Sequence, residues 1–451
     1  MANICTSNLT SGFIDLATYD ELEKYMYGGA DATAYFVRET RKATWFTLVP
    51  VVLSRASGSP AFGQEWSCSI SRAGDYLLSN WLRLTLPAVT LVTATGEGQL
   101  FYLSWTPNLM HNLIRECCIT FNDLVAARFD NYHLDFWAAF TVPASKRVGY
   151  NNMIGNVTQL TQPSANLPSE VLNLPLPFFY TRDSGVALPT AALPYNDMRI
   201  NFSFRHWTEL MTYWTVTGNA VTCGTPSTSL LLGGQEPQLT SVQVWANYAI
   251  VSNDERKRMA CAPRDILIEQ VQTAPIQSFT PATNPNQSFD IRFSHAIKVL
   301  FFAVRNKSCP GFWSNYTTRS PADAVGGVVD LVNNNAFDPV SMTSLIYENT
   351  YRLANMGSDY YSLVQPWYHA PTIPEETGYH MYSYSLDFVC LDPLGSTNYG
   401  KLTNVSIAPC ASDDAKAAAV AQVPQTFDFV VTAINNNIIR ISGGALGFPV
   451  L

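Results

Sequence analysis

The sequence predicts an all-β chain made of two antiparallel β-sandwiches. Three observations support this: segments with alternating apolar and polar side chains recur along the chain, turns rich in Gly, Pro or Asn separate them, and helical signals are few and short. Alternation with a period of two gives a strand one apolar and one polar face, as in antiparallel sheets that cover a core.

Four segments show this alternation most clearly. The expected apolar faces are Tyr76, Leu78, Leu82, Leu84 and Leu86 in the first segment; Ile200, Phe202 and Phe204 in the second; Phe289, Ile291 and Phe293 in the third; and Tyr382, Tyr384, Leu386 and Phe388 in the fourth. The residues between them, among them Arg83, Asn201 and Met381, are assigned to the opposite faces.

Three stretches carry helical signals. Thr18 and Glu21 match a capping box that would start a helix ending at Gly28. Residues 252–260 are predicted to form a short polar helix between a strand and a new strand at 265–273, which makes this helix the best candidate for a linker between the sandwiches. Residues 356–370 are predicted to be helical or looped.

The composition limits the possible partners. The chain has 451 residues, of which 14% are charged, against the usual quarter or so, and its formal net charge is −8. A surface so poor in charge is typical of proteins whose surface is buried against other molecules, often against copies of the same protein. The acidic balance argues against direct contact with a nucleic-acid backbone, which requires a basic footprint.

The cysteines and apolar runs indicate a soluble chain that is not secreted by the usual route. Nine cysteines occur without a C-x-x-C pair, and the adjacent Cys117 and Cys118 would face opposite sides of a strand. We therefore expect buried, reduced thiols. The N-terminus lacks the features of a signal peptide, and no apolar run approaches the roughly 20 residues of a membrane span.

One stretch resembles a nucleotide-binding loop. Gly395, Gly400 and Lys401 reproduce the G-x-x-x-x-G-K spacing, in which backbone N–H groups and the Lys hold phosphates. A working loop has Ser or Thr next and then opens a helix, whereas Leu402 stands there and Thr403 comes one position late. The following segment is β-branched, so we expect a turn between strands.

Other candidate sites are no stronger. His133 and Asp135 have the spacing of a base and its orienting carboxylate, Ser184 lies in a predicted turn, and Glu375 and Glu376 form an acidic pair. No base is implied near Ser184, and the acidic pair is better explained as a solvated turn. The six His residues have no metal-ligand spacing. We predict no catalytic, cofactor-binding or metal-binding residue and no enzymatic activity.

Longer strings carry a resemblance to a known family. These are "LPLPFFYTRDSGVALPTAALPYNDMRI" (174–200), "LDPLGSTNYGKLTNV" (391–405), the junction "ANYAIVSNDERKRMA" (246–260), "SDYYSLVQPWYHAP" (358–371) and the closing "INNNIIRISGGALGFPVL" (434–451). Together they resemble the major capsid proteins of the nucleocytoplasmic large double-stranded DNA viruses. Strings nearer the N-terminus, among them "TSGFIDLATYDELEKYMYGGADATAYF" (10–36), "FGQEWS" (62–67) and "YNNMIGN" (150–156), look most like the iridovirus branch. Residues 206–240 and 308–345 match poorly.

The resemblance implies a double jelly roll, that is, two eight-stranded antiparallel β-sandwiches with short helices in the loops and at the junction. It implies an N-terminal arm with a short helix at 1–30, a first jelly roll at 31–252, a linker helix at 253–264 and a second jelly roll at 265–451. Lys401 then stands where the family has Lys or Arg in a turn of the second jelly roll.

The resemblance also implies a structural function. Three copies would form a pseudo-hexagonal capsomer, and capsomers would tile an icosahedral virion shell around an inner membrane after assembly in the host cytoplasm. Minor capsid proteins are the other expected partners, and no direct nucleic-acid contact or cofactor is expected. The apolar side chains Phe13, Ile14, Leu16 and Leu22 of the arm would contact a minor protein, the membrane surface or their own subunit.

Two alternatives come from other classes. A lectin-like double sandwich would use loop aromatics to stack on sugars, the candidates being Trp313, Tyr316, Tyr360, Tyr361, Trp367 and Tyr368. The competing explanation is that these rings fill loop cores and subunit contacts. A nucleotide hydrolase using Lys401 is the third hypothesis.

Overall fold

The computed structural model describes residues 2–96, 98–218, 220–319, 324–325, 328–329 and 336–448. The chain divides into two compact units, Met1–Trp45, here called the arm, and Phe46–Leu451, here called the body.

The arm contains two helices, α1 (Ala2–Ala17) and α2 (Glu21–Tyr27). The predicted helix that stops at Gly28 is confirmed, because the Gly28 N–H donates to the Lys24 carbonyl at the end of α2. Its predicted cap is wrong. Asp20 caps α2 by accepting the Glu21 N–H at 2.8 Å, whereas the Thr18 hydroxyl donates to the Asp15 carbonyl and so closes α1. The alternation analysis did not predict α1.

The first half of the body is built from short antiparallel strands. They are β1 (Phe46–Val52), β2 (Ser54–Gly58), β3 (Glu65–Ser69), β4 (Tyr76–Leu86), β5 (Val89–Thr90), β6 (Thr95–Gly96), β7 (Gln99–Trp105), β8 (Ile114–Phe121), β9 (Leu124–Phe129), β10 (Asn166–Leu167), β11 (Glu170–Pro175), β12 (Met198–Phe204), β13 (Met211–Thr217), β14 (Ala220–Gly224) and β15 (Thr240–Val251). A four-stranded sheet in the order β1-β15-β4-β11 and a five-stranded sheet in the order β2-β3-β12-β8-β9 form the first sandwich. A further sheet, β14-β13-β7-β6, is here called the side sheet, and β10 pairs with β5.

The second half follows the same plan. Its strands are β16 (Arg264–Thr273), β17 (Gln277–Phe279), β18 (Phe289–Asp290), β19 (Ala296–Asn306), β20 (Ala324–Val325), β21 (Val328–Val329), β22 (Val340–Tyr347), β23 (Thr350–Gly357), β24 (His380–Ser383), β25 (Thr397–Asn398), β26 (Val405–Ala411), β27 (Phe427–Ser442) and β28 (Ala445–Gly447). The sheet β16-β27-β19-β24, which β17, β25 and β28 extend, and the sheet β18-β26-β22-β23 form the second sandwich.

Short helices occupy the connections of the body. They are α3 (Leu109–Leu113), α4 (Asn131–Thr141), α5 (Ala144–Ile154), α6 (Thr158–Thr161), α7 (Trp207–Leu210), α8 (Asn253–Cys261), α9 (Gln365–His369) and α10 (Asp413–Ala419), with a π-helical turn at Tyr360–Val364 before α9. Helix α8 joins β15 to β16, where the sequence predicted a linker, and it ends three residues before the predicted 264. The domain limits at 31–252 and 265–451 stay a prediction.

The predicted apolar face of β12 is confirmed. Ile200, Phe202 and Phe204 are buried, and the intervening side chains are only partly so. Phe202 stacks on Trp66 of β3 with ring centroids 4.7 Å apart. In the second sandwich, Phe289 and Phe293 are likewise buried as predicted, although the strand β18 contains only two residues.

The expected face of β4 is correct for only part of the strand. Leu82, Leu84 and Leu86 are buried, but at the start of the strand Leu77 is buried while Leu78 is not. The pairing of β4 with β15 shifts register between Asn247 and Tyr248, opposite this part of β4. An extra residue at such a bulge exchanges the two faces of a strand.

The expected polar face of β24 is wrong. Met381, assigned to that face, is fully buried, and the whole strand is buried, whereas Leu386 is exposed. The physical reason is a third core between the sandwiches. There, Met381 of β24 and Phe301 of β19 pack with Phe136 and Phe140 of α4, while Tyr382 faces the core of the second sandwich.

Candidate functional site

The loop that resembles a nucleotide-binding motif folds as strand, turn and strand. Thr397 and Asn398 form β25, which pairs with β19, and Tyr399–Lys401 make one 3₁₀ turn. The Asn398 side chain caps this turn by accepting the Gly400 N–H at 3.0 Å. The chain then enters β26 rather than a helix, so these residues lack the strand-to-helix geometry that presents a row of N–H groups to phosphates.

His133 and Asp135, which have the spacing of a base and its orienting carboxylate, are not hydrogen-bonded to each other. Asp135 lies instead 2.8 Å from the Nδ1 atom of His111, and the His111 Nε2 atom lies 2.6 Å from the Tyr150 hydroxyl. His133 is buried near Phe129 and Trp137, its Nδ1 atom has no hydrogen-bond partner, and burial lowers its pKa to about 3. His111 was missed because helix α3 brings it to Asp135 from 24 residues away.

The group around Asp135, here called the carboxylate cluster, joins the two sandwiches. The second oxygen of Asp135 accepts hydrogen bonds from the hydroxyls of Ser314 and Tyr316, each at 2.8 Å. Asp135 and His111 belong to the first sandwich, whereas Ser314 and Tyr316 follow β19 of the second. Burial raises the pKa of the Tyr316 hydroxyl, so this group remains a hydrogen-bond donor. The cluster resembles a catalytic arrangement, but the side chains of His111 and Asp135 are not exposed to solvent. Its hydrogen bonds link the two sandwiches.

A second buried polar group, here called the ion trio, also crosses between the sandwiches. Glu269 of β16 contacts Lys298 of β19 at 2.5 Å and Arg182 of the first sandwich at 2.7 Å. Both cations also donate to backbone carbonyls, those of Cys390 and Val389 respectively. A buried ion pair is tolerated only when its remaining hydrogen-bonding positions are satisfied, and this requirement fixes the mutual position of the elements involved.

The aromatic residues considered for sugar stacking do not form one surface. Tyr316 and Tyr361 are buried in cores between and within the sandwiches. Trp313 is held between two guanidinium groups, with the Arg205 and Arg305 Cζ atoms 4.0 and 3.6 Å from its ring centroid. Most of these rings therefore fill cores and loop contacts, as the competing explanation expected.

Other candidates for chemistry are dispersed. Ser184 lies in a short 3₁₀ turn at Ser184–Val186, and Glu375 and Glu376 are exposed. Within the described ranges, no group of three or more His, Cys, Asp or Glu side chains is placed to hold a metal ion.

Several apolar side chains in the described part of the body are exposed, and two groups of them form surfaces. The first, here called the helix patch, consists of Leu363, Val364, Trp367 and Tyr368. Spacings of four residues place them on one side of the turn before α9 and of α9 itself, while Gln365 and Pro366 are buried on the other side. Trp367 and Tyr368 are 71% and 73% exposed, which is unusual for side chains of this size.

The second surface, here called the edge patch, is strand β1. This strand pairs with β15 on one side and ends the sheet, so among the described strands none pairs with its other side. Phe46, Leu48 and Val52 are between 41% and 55% exposed. An exposed apolar edge strand can pair with another chain or be covered by it. We therefore expect the edge patch to form a contact between chains.

Among the helices that the structure describes, none is both long and apolar enough to cross a membrane. The arm nevertheless presents the four apolar side chains singled out from the sequence. Phe13, Ile14 and Leu16 of α1 and Leu22 of α2 are each at least 60% exposed.

Comparison with known proteins agrees with this architecture. The family model described as "Major capsid protein N-terminus" matches residues 34–251, and the one described as "Large eukaryotic DNA virus major capsid protein" matches residues 255–447. The chain is 63% identical to the major capsid protein of Costelytra zealandica iridescent virus and 61% identical to that of Invertebrate iridescent virus 6, each over 100% of both chains. It is 50% identical to the major capsid protein of Lymphocystis disease virus 1, again over 100% of both chains.

Solved structures show the same fold. The chain aligns with a subunit of the PBCV-1 virus capsid with a TM-score of 0.73 at 20% identity, over 93% of this chain and 100% of that chain. It aligns with the Faustovirus major capsid protein with a TM-score of 0.69 at 12% identity, over 98% and 99%. The predicted double jelly roll is thus confirmed. Since both halves match capsid-protein family models and the relatives agree over their full length, this chain belongs to the major capsid proteins of large eukaryotic DNA viruses, among those of the iridescent viruses.

Proposed function

We propose that this capsid protein forms a homotrimer and that the trimer is the pseudo-hexagonal capsomer of an icosahedral shell. Each subunit supplies two jelly rolls, so three subunits supply six similar units. In this proposal the first jelly roll occupies residues 31–252, the linker helix 253–264 and the second jelly roll 265–451.

The exposed helix patch is the observation that carries the proposal. Trp367 and Tyr368 form an apolar surface on a body whose other large aromatic side chains are mostly buried. Burying one such ring stabilises an association by roughly 1.5–3 kcal/mol, and threefold symmetry repeats each contact three times. The edge patch offers a second surface of the same kind.

The assignment predicts a stable trimer in solution. The full chain is purified, and the mass of the species that it forms at micromolar concentration is measured by analytical ultracentrifugation. The same sample is imaged by negative-stain electron microscopy. A species of three times the chain mass that appears as triangular or hexagonal particles supports the proposal. A monodisperse single-chain species across the concentration range contradicts it.

We propose further that the arm faces the inside of the shell, where α1 contacts a minor capsid protein or the surface of the inner membrane. The exposed Phe13, Ile14 and Leu16 support this, because an amphipathic helix binds a membrane surface through such side chains. Flotation of the full chain with anionic vesicles, compared with a Phe13→Ser, Leu16→Ser variant, tests the membrane alternative. If the variant and the original chain float equally, the arm does not bind the membrane surface.

We also propose that the chain is purely structural and assembles in the host cytoplasm without contacting the genome. The strand-turn-strand conformation around Lys401 supports the absence of a nucleotide hydrolase activity. An ATP-turnover assay tests this, with Lys401→Ala as the control. Turnover that is lost in this variant would overturn the proposal.

A further inference from the structure

One face of the side sheet is covered by a loop of the second sandwich. In this sheet Trp214 of β13 lies directly opposite Cys223 of β14, and Val216 lies opposite Val221. Residues directly opposite one another project from the same face of a sheet, and alternate residues of one strand share a face. Cys223 therefore lies on the same face as Trp214, Val216 and Val221.

The loop after β19 packs onto this face. Its Cys309 and Phe312 belong to the same apolar cluster as Trp214, with the Phe312 ring edge-on to Trp214 at a centroid distance of 6.3 Å. The Thr212 hydroxyl donates to the Pro310 carbonyl at 3.2 Å. Gly311 has a φ of +74°, and a Cβ there would meet the Met211 carbonyl oxygen at 2.3 Å. The contacts of Pro310 and Gly311 with β13 lie between Cys309 and Phe312, so they hold this part of the loop against the strand.

This packing brings the Cys223 thiol of the side sheet into the same cluster as the Cys309 thiol of the second sandwich. Cys223 packs against the apolar cluster that contains Cys309, and hydrogen bonding from Cys309 lowers the pKa of Cys223. Cys309 is 5% exposed, and burial raises its pKa, whereas Cys223 is only partly buried. The pair thus has one accessible sulfur with increased thiolate character beside one protected sulfur, the asymmetry that favours thiol–disulfide exchange.

We propose that Cys223 and Cys309 are a site of covalent modification at which a low-molecular-weight disulfide, such as oxidised glutathione, closes a bond between the two jelly rolls. The Cys223 thiolate attacks one sulfur of the oxidant and releases one glutathione thiolate. Cys309 then loses its proton to solvent and attacks the Cys223 sulfur, which releases the second glutathione thiolate. Two protein thiols are oxidised, and one glutathione disulfide is reduced to two thiols.

The bond closes a long loop of the chain. Closing such a loop removes conformations from the unfolded chain, so the oxidised body is expected to melt at a temperature higher by roughly 5 °C. The site joins the side sheet to the second sandwich directly, and it requires only the folded body. Its failure would therefore leave the proposed capsomer unaffected.

The experiment uses the full-length chain. The protein is reduced, freed of reductant, incubated with oxidised glutathione at pH 8, alkylated and digested without reduction for mass spectrometry. We expect the peptides that contain Cys223 and Cys309 to be recovered as one disulfide-linked species. We also expect dithiothreitol to return the melting temperature to its reduced value. A chain in which Cys223 carries only glutathione while Cys309 stays alkylatable after unfolding would overturn the proposal.

Variants separate this pair from the other thiols. Cys223→Ser and Cys309→Ser should each abolish the linked species, whereas Cys261→Ser, at an exposed position, should retain it. If Cys309→Ser does not fold, Cys223→Ser and the peptide map of the unmodified sequence decide the question. A linked species that persists in Cys223→Ser, or one that joins Cys309 to a different cysteine, refutes the assignment.

Discussion

The carboxylate of Asp135 lies 2.8 Å from the Nδ1 atom of His111, and neither side chain is exposed to solvent. The same carboxylate accepts hydrogen bonds from Ser314 and Tyr316 of the other sandwich. One buried side chain thus contacts residues from both jelly rolls, and the stability of the body should depend on it.

Asp135→Asn is expected to destabilise the body by about 2–4 kcal/mol, because an amide presents one acceptor oxygen where the cluster requires two. The measurement is the urea midpoint of unfolding followed by tryptophan fluorescence. Asp197→Asn is the matched control, since Asp197 and its partner Arg199 are 53% and 41% exposed. That variant should remain near the original midpoint. If Asp135→Asn does so too, the carboxylate cluster does not stabilise the body.

Glu269→Ala should be more damaging, by about 3–5 kcal/mol, because it leaves Lys298 and Arg182 buried without their counter-charge. Thermal unfolding by circular dichroism measures the loss. Asp265→Ala, on the same strand, breaks a pair with Arg440 in which both side chains are more than half exposed, and it should change the melting temperature little. Equal melting temperatures for the two variants would show that the ion trio is not stabilising.

The buried His133 predicts a specific dependence on pH. Burial lowers its pKa to about 3, against 6.5 in the unfolded chain. Between about pH 6.5 and pH 3, only the unfolded chain binds this proton, so the group reduces stability by about 1.4 kcal/mol for each pH unit of acidification. Its contribution is constant above pH 6.5.

His133→Leu removes this proton uptake. Urea unfolding at pH 6.5 and pH 4.5 should therefore show a loss of stability smaller by about 2–3 kcal/mol in the variant than in the original chain. Measurements at pH 8 serve as the control, because there the two proteins differ only in packing. Parallel stability profiles over the acidic range would mean that His133 takes up its proton in the folded body.

Trp367→Asp should disrupt the capsomer while leaving the subunit folded. The side chain is 71% exposed in the single chain, so the charge is tolerated there, but it would be buried in an apolar contact between subunits. Analytical ultracentrifugation should show a shift from trimer to monomer with an unchanged far-UV spectrum. Trp367→Phe should retain the trimer. A trimer that survives the Asp variant would place the subunit contact elsewhere.

Gly311→Ala should release the loop that carries Cys309, because its Cβ would overlap the Met211 carbonyl oxygen. We expect a lower melting temperature and slower formation of the Cys223–Cys309 bond. Gly218→Ala is the control, since Gly218 also has a positive φ, of +61°, but its Cβ would meet no atom within 4 Å. If the two variants bond at the same rate, contact with β13 does not position the loop.

The period-two pattern predicted strand faces well where one face of a regular strand is covered. Ile200, Phe202 and Phe204 followed the expectation because β12 has a core on one side only. The pattern failed at Met381 because β24 is covered on both faces, once by its own sandwich and once by α4 of the other. Alternation within a strand shows only that one of its faces is apolar. It cannot show that a helix from a distant part of the chain buries the other face as well.

The polar contacts between the sandwiches could not be predicted for a related reason. His133 is two residues from Asp135, but the imidazole that Asp135 binds comes from His111. Two further partners, Ser314 and Tyr316, lie about 180 residues away. Spacing indicates only neighbours on the same element. The helix patch gave a clearer signal, since Trp367 and Tyr368 stood out as aromatic residues in a loop-like stretch. The sequence did not show which of the loop rings would be exposed, and it did not indicate the edge patch.

Strand β19 has a core on each side, so the two jelly rolls of a subunit cannot rotate against each other without opening Phe301 and its neighbours to water. A closed shell needs places where its surface bends. In a shell built from this subunit the bending must therefore occur at the contacts between subunits, and each subunit keeps the same shape in the curved and in the flat regions.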